Sequence, residues 1–329
     1  MVSLCSDGVD PARASLNYLT RRFADPNRLN DLPPYAELTA PKYPPHKTPA
    51  LLEVDVVENG AALSLSPGRL HRFPPDGSPS FGPVIHHAAV MGDEIAILLD
   101  DSIRIVDRLG GATKRAFSYT FFNGGHTIYA AGDGKLLVSG SSHDCFFVID
   151  GESGAVERLW TVPEAVYGTN YPITEAHDNR RHYIPNDLQL AHLNSAFMRR
   201  DGDVLVTTLI QGDIGLVDPD GGYRLLARGF VGAHNARETA SGDAYFADSC
   251  AGMLVILNED GSLARRYDFG SCWLHDVIEV GAGVFLGSVA DRRKLVLADI
   301  ERDAILGEID VGAAFDMTPK FVSAPYEAG

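Results

Sequence analysis

The 329-residue sequence predicts an all-β domain, a five-bladed β-propeller with a sixth blade left open, and three observations carry that expectation. A unit of about 40 residues recurs between roughly residues 84 and 312. Four strand-like segments fit inside each unit. A histidine opens the first segment of each unit at nearly constant phase. His126, His234 and His275 stand 24 residues ahead of Asp150, Asn258 and Asp299, His192 stands 26 ahead of Asp218, and His87 stands 20 ahead of Asp107. A β-sandwich, the rival fold, gives no reason for such a phase.

The elements follow in chain order. Residues 1–50 read as an extension outside the propeller. Ala12, Leu16, Leu19 and Phe23 have the spacing of a short amphipathic helix, and the proline-rich stretch 26–49 reads as a surface strap. The propeller takes residues 51–329. Residues 51–73 alternate like strands and, with the C-terminal tail, could form a sixth blade. The fourth unit shows the pattern clearly, with strands at His234–Thr239, Asp243–Asp248, Met253–Asn258 and Leu263–Phe269 separated by Gly- and Asp-rich turns. The histidine spacings of 39, 66, 42 and 41 mark an insertion at 162–190, which has the place of a lid over one end of the channel.

Composition narrows the partners. A net charge of −16 and few basic residues disfavour nucleic acid and anionic membranes, and leave a small-molecule substrate as the expected partner. Cys5, Cys145, Cys250 and Cys272 have no metal or disulfide spacing, so reduced thiols are expected. The first residues contain no basic, then apolar, leader pattern, and the expected location is cytoplasmic.

In a propeller the first strand of every blade lines the axis. The blade symmetry therefore aims His87, His126, His192, His234 and His275 at one place. Converging neutral imidazoles suit a transition metal, with iron the first expectation and copper or zinc next. Of the pair His86-His87, the phase favours His87. Arg237 could hold an anionic substrate or bridge to a neighbouring blade. Glu238, Arg237, His177 and Tyr183 are the candidate catalytic groups, the last two lying in the insertion. His143 reads equally as a ligand or a surface turn residue. The bland alternative is stapling: WD-type propellers carry a Gly-His pair bonded to a turn aspartate, and Gly125-His126 is similar to it, although the Trp-Asp partner is missing.

The histidine ring also resembles that of the carotenoid cleavage oxygenases, in which four histidines hold a ferrous ion inside a propeller and glutamates form an outer shell. That resemblance implies His126, His192, His234 and His275 as ligands, with Glu238 and Glu279 behind them. The segments His192-Leu193-Asn194-Ser195 and His275-Asp276-Val277 are similar to those of arylsulfotransferase-type propellers, where a histidine carries the transferred group. The expected function is a metal-dependent oxidoreductase acting on a small organic molecule. The alternatives are a metal-free histidine-based transferase or lyase and a non-catalytic binding propeller.

Overall fold

The computed structural model describes residues 1–5, 50–59, 62–72, 85–168, 178, 180, 184 and 189–323. The predicted helix at 11–23, most of the strap and most of the insertion lie outside the described residues.

Five consecutive four-stranded antiparallel sheets form the predicted blades. Blade 1 is His87–Met91, Glu94–Leu98, Ser102–Asp107 and Thr113–Ser118. Blade 2 is Gly125–Ala130, Lys135–Gly140, Cys145–Asp150 and Val156–Thr161. Blade 3 is Leu193–Met198, Val204–Thr208, Asp213–Val217 and Tyr223–Ala227. Blade 4 is Ala233–Glu238, Ala244–Asp248, Met253–Leu257 and Leu263–Asp268. Blade 5 is Leu274–Gly281, Val284–Val289, Lys294–Asp299 and Ala304–Asp310. Blade 4 thus lies within a residue of its sequence expectation at every boundary.

A sixth four-stranded sheet joins both ends of the chain, in the order Thr318–Val322, Val2–Cys5, Ala50–Asn59 and Ala62–Arg72. Residues 2–5 therefore belong to the sheet system rather than to an outlying extension. The ring closes through packing. Leu295, Leu297 and Ile309 of blade 5 share a core with Val2, Leu52 and Val322, while Leu51 packs with Ile95 and Ile97 of blade 1. A hydrophobic cluster fills each of the other gaps between neighbouring blades.

The aspartate that ends the third strand in blades 1, 2 and 5 has a local cause. Asp150 Oδ1 accepts the backbone N–H groups of Glu152 and Ser153. Asp107 does the same for Leu109 and Gly110, and Asp299 for Glu301 and Arg302. These side chains close the hairpin to the fourth strand. They bond to their own turns, so the recurring phase comes from hairpin chemistry and not from a histidine–aspartate staple.

Glycine is required where blades abut. Gly252 has φ 68°, and a Cβ there would lie 1.9 Å from the Ser271 carbonyl oxygen; Gly212, at the matching place in blade 3, meets the Phe230 oxygen at 1.8 Å. Gly252→Ala is expected to cost about 2 kcal/mol or more, from the left-handed backbone and the displaced carbonyl together. Urea unfolding of the variant measures it, and an unchanged midpoint would contradict the packing described.

Candidate functional site

The first strands start at one end of the channel, and regular pairing breaks there. In blade 2, Gly125 pairs with Gly140 and Thr127 with Ser139, so His126 is an extra residue. Blade 5 repeats this: Leu274 pairs with Val289 and Asp276 with Ser288, leaving His275 over. In blade 4 the break falls between His234 and Arg237, with Asn235 at φ 54°. Such bulges free a side chain from the strict alternation that sends its neighbours into the gaps between blades. They set the histidines at the channel end.

Blade 3 differs. Its extra residue is Asn194, between the pairs Leu193–Thr208 and Ser195–Thr207. Asn194 holds the histidine position of the other blades, and its Nδ2 donates to the Ala233 oxygen of blade 4 at 2.7 Å. His192 sits just before the strand, at φ 53°. Its longer spacing to Asp218 carried this signal, because 24 residues back from Asp218 is Asn194. The buried carboxylate of Asp144 clamps the segment, accepting the N–H groups of Leu190, Ala191 and Leu193 at 3.1, 3.0 and 2.8 Å. Asp144→Ala is expected to cost about 3 kcal/mol and to broaden the His192 ring signals, since three buried donors lose a charged acceptor. Denaturation together with imidazole NMR checks both effects.

Four of the five expected ring histidines meet. The His126 ring centroid is 5.3 Å from that of His192 and 5.7 Å from that of His234, and His234 is 5.4 Å from His275. Trp273 lies against His234 and His275 at 5.8 and 6.3 Å. Phe321, from the sixth sheet, forms a floor, with its ring 5.2 Å from His126 and 4.6 Å from His275.

His87 lies apart from these four. It touches Phe321 at 5.3 Å and Tyr129 at 5.0 Å, and its Nδ1 is bonded to the backbone of Ile128. His86 is the blade 1 residue whose charge bears on both His126 and His275. Its Nε2 contacts Asp100 Oδ1 at 2.6 Å. The first strand of blade 1 pairs with the second without a bulge, and this shifts which of the two histidines reaches the mouth. His143 is buried, so it is no surface turn residue.

His87, His126, His234 and His275 are neutral at pH 7. Burial pushes His87 and His234 down to about 4. Burial and then the mutual repulsion of protonated rings hold His126 and His275 well below the usual range. The tautomer of His234 follows from its contacts. Nδ1 is 2.8 Å from the Gly232 carbonyl oxygen, which can only accept, so Nδ1 carries the proton and Nε2 a lone pair. Ser249 Oγ, from the loop joining strands two and three, also lies 2.8 Å from Nδ1. Among the described residues, the Nδ1 atoms of His126 and His275 are buried without a hydrogen-bond partner.

Arg237 is deep in the channel, paired twice with Asp276 at 2.7 and 3.0 Å and donating to the carbonyls of Val277 and Val322. It therefore bridges to a neighbouring blade, the second of the two roles the sequence allowed. Glu238 lies at the far end of its strand, about 13 Å along the chain from His234 at normal strand rise. There it accepts from Arg199 and from the backbone N–H of Arg200. Glu279 grips the Ala240 N–H in the same manner. Both carboxylates tie a strand end to the preceding blade instead of backing the histidines. His177 and Tyr183 lie outside the described residues. The thiols of Cys145 and Cys250 are pushed up to about 12 by burial, which suits packing rather than nucleophilic attack.

No group of three or more His, Cys, Asp or Glu side chains among the described residues is arranged to hold a metal ion. The His126 and His192 rings meet edge to face, while His234 lies tilted against His126 and His275, and among the described residues the expected metal finds no ready-made ligand set. No helix among the described residues is long and apolar enough to cross a membrane.

Fold and site together define a β-propeller with imidazoles gathered at one channel end. No family model and no curated protein sequence matches the chain. Among solved structures it is similar to a protein of unknown function from Bacteroides caccae, with a TM-score of 0.53 and 15% identity over 79% of this chain and 97% of that one. It is also similar to a catalytically inactive histidine-to-alanine variant of virginiamycin B lyase from Staphylococcus aureus, crystallised with quinupristin. There the TM-score is 0.50, with 10% identity over 84% of this chain and 75% of that one. At these identities the likeness establishes the propeller fold.

Proposed function

We propose that the chain is an enzyme whose channel-end imidazoles act as a general base on a small organic substrate, in the manner of a metal-free lyase or transferase. The observation that carries this reading is His234. Its Nδ1–H is tied to the Gly232 carbonyl, which leaves the Nε2 lone pair available within a group of neutral rings. In an elimination, Nε2 takes a proton from the carbon beside a carbonyl. The C–H electron pair becomes the new double bond, the leaving-group bond breaks, and the imidazolium returns its proton to the leaving group. Burial keeps the base unprotonated at neutral pH, and negative charge growing on the substrate raises its proton affinity as the reaction proceeds. A propeller lyase reported as inactive once a histidine is replaced lends support.

Screening β-substituted carbonyl compounds, with and without chelator, tests the proposal. Turnover should persist in chelator and fall about a hundredfold or more in His234→Gln. A second reading, the metal-dependent oxidoreductase, is favoured by the unpartnered Nδ1 atoms of His126 and His275. It requires turnover that dies in chelator and returns with iron, copper or zinc. Unchanged turnover in His234→Gln would sink the base reading.

A further inference from the structure

We infer that the histidine cluster contains an oxyanion subsite, formed by the Trp273 indole N–H, the Lys320 ammonium and the His275 ring, that receives the carboxylate of an organic acid. This deepens the proposed function and rests on the same site. Trp273 is buried against His234 and His275, yet among the described residues its Nε1–H has no acceptor. An indole nitrogen can only donate, and a buried donor left unpaired is costly, so an oxygen acceptor is the chemistry that completes it. His275 Nδ1 is likewise buried and unpartnered. Lys320 immediately precedes Phe321, whose ring lies 4.6 Å from His275. It is half-buried, and its charge is felt at His275.

One cation matches a single negative charge. The aromatic faces of Trp273 and Phe321 suit a planar organic body better than a hydrated inorganic anion. The subsite thereby selects a carboxylate over phosphate. A carboxylate held here would bring its α-carbon towards the His234 lone pair, which joins the subsite to the base.

Benzoate, its neutral counterpart benzamide, and inorganic phosphate serve as probes of the full chain, with calorimetry for affinity and long-range imidazole NMR for location. Benzoate should bind saturably, move the His275 ring signals, and bind at least about tenfold tighter than benzamide or phosphate. Lys320→Met and Trp273→Phe should each weaken benzoate about tenfold or more. Lys320→Met changes a half-buried side chain, so it keeps the test decisive if Trp273→Phe does not fold. Equal affinity for benzoate and benzamide, tighter phosphate than benzoate, or unchanged benzoate affinity in Lys320→Met overturns the subsite. Benzoate binding retained in His234→Gln supports it. Because the probes need no turnover, the subsite can fail while the base reading stands, and the reverse holds for unchanged turnover in His234→Gln.

Discussion

Replacing Arg237 by methionine is expected to lower the unfolding free energy by about 3–5 kcal/mol. The side chain is almost wholly buried and spans three sheets. It is paired twice with Asp276 of blade 5, donates to the Val277 and Val322 carbonyls, and lies 5.3 Å over the Tyr129 ring of blade 2. Asp276 Oδ2 also accepts the Val322 N–H at 2.8 Å, so the pair pins the strand that completes the sixth sheet. Removing the cation leaves a carboxylate buried beside carbonyl groups that have lost their donor. The double variant Arg237→Met with Asp276→Leu should recover much of the loss, because no charge is then stranded. Urea unfolding of the two single variants and the double gives the coupling energy. A loss below about 1 kcal/mol in Arg237→Met would show that the pin is dispensable.

Acidification from pH 6.5 towards 4 should destabilise the fold through its buried histidines. His87 and His234 take up protons near pH 4 when folded, against 6.5 for the unfolded chain. Above pH 6.5 neither state holds the proton, and the full stability is present. As the pH falls from 6.5 towards 4 the unfolded chain binds protons that the folded one refuses, and stability drains away. Each group accounts for about 3 kcal/mol across that window, and His126 and His275 act in the same direction. Denaturation at pH 7 and pH 4 measures the loss. His234→Gln should shrink the difference by about 3 kcal/mol. Equal stability at the two pH values would show that the rings protonate freely in the fold.

The blades were legible because their marks are local. The aspartate that ends a third strand closes its own hairpin, and the same turn chemistry recurs in blades 1, 2 and 5, at Asp107, Asp150 and Asp299. The gathering of His126, His234 and His275 was legible for the same reason, since equal phase in equal blades means equal depth. The displacement of His192 was also present, in its spacing, but its meaning required knowing that a bulge admits one extra residue. The choice between His86 and His87 was not legible. It turns on the absence of a bulge between the first two strands of blade 1, which backbone pairing decides and residue types do not announce.

Hydrophobic alternation, turn residues and a repeating histidine were sufficient to specify a propeller and to point its imidazoles towards one end, because strands and hairpins obey rules of a few residues' reach. Tertiary structure decided the rest. Strand Val2–Cys5 exists through pairing with Thr318–Val322 and Ala50–Asn59. That closure carries Phe321 to the histidines and turns Arg237 into a pin. Contacts made across some 300 residues of chain leave no periodic trace in the segments that make them. They become visible only once the ring has closed.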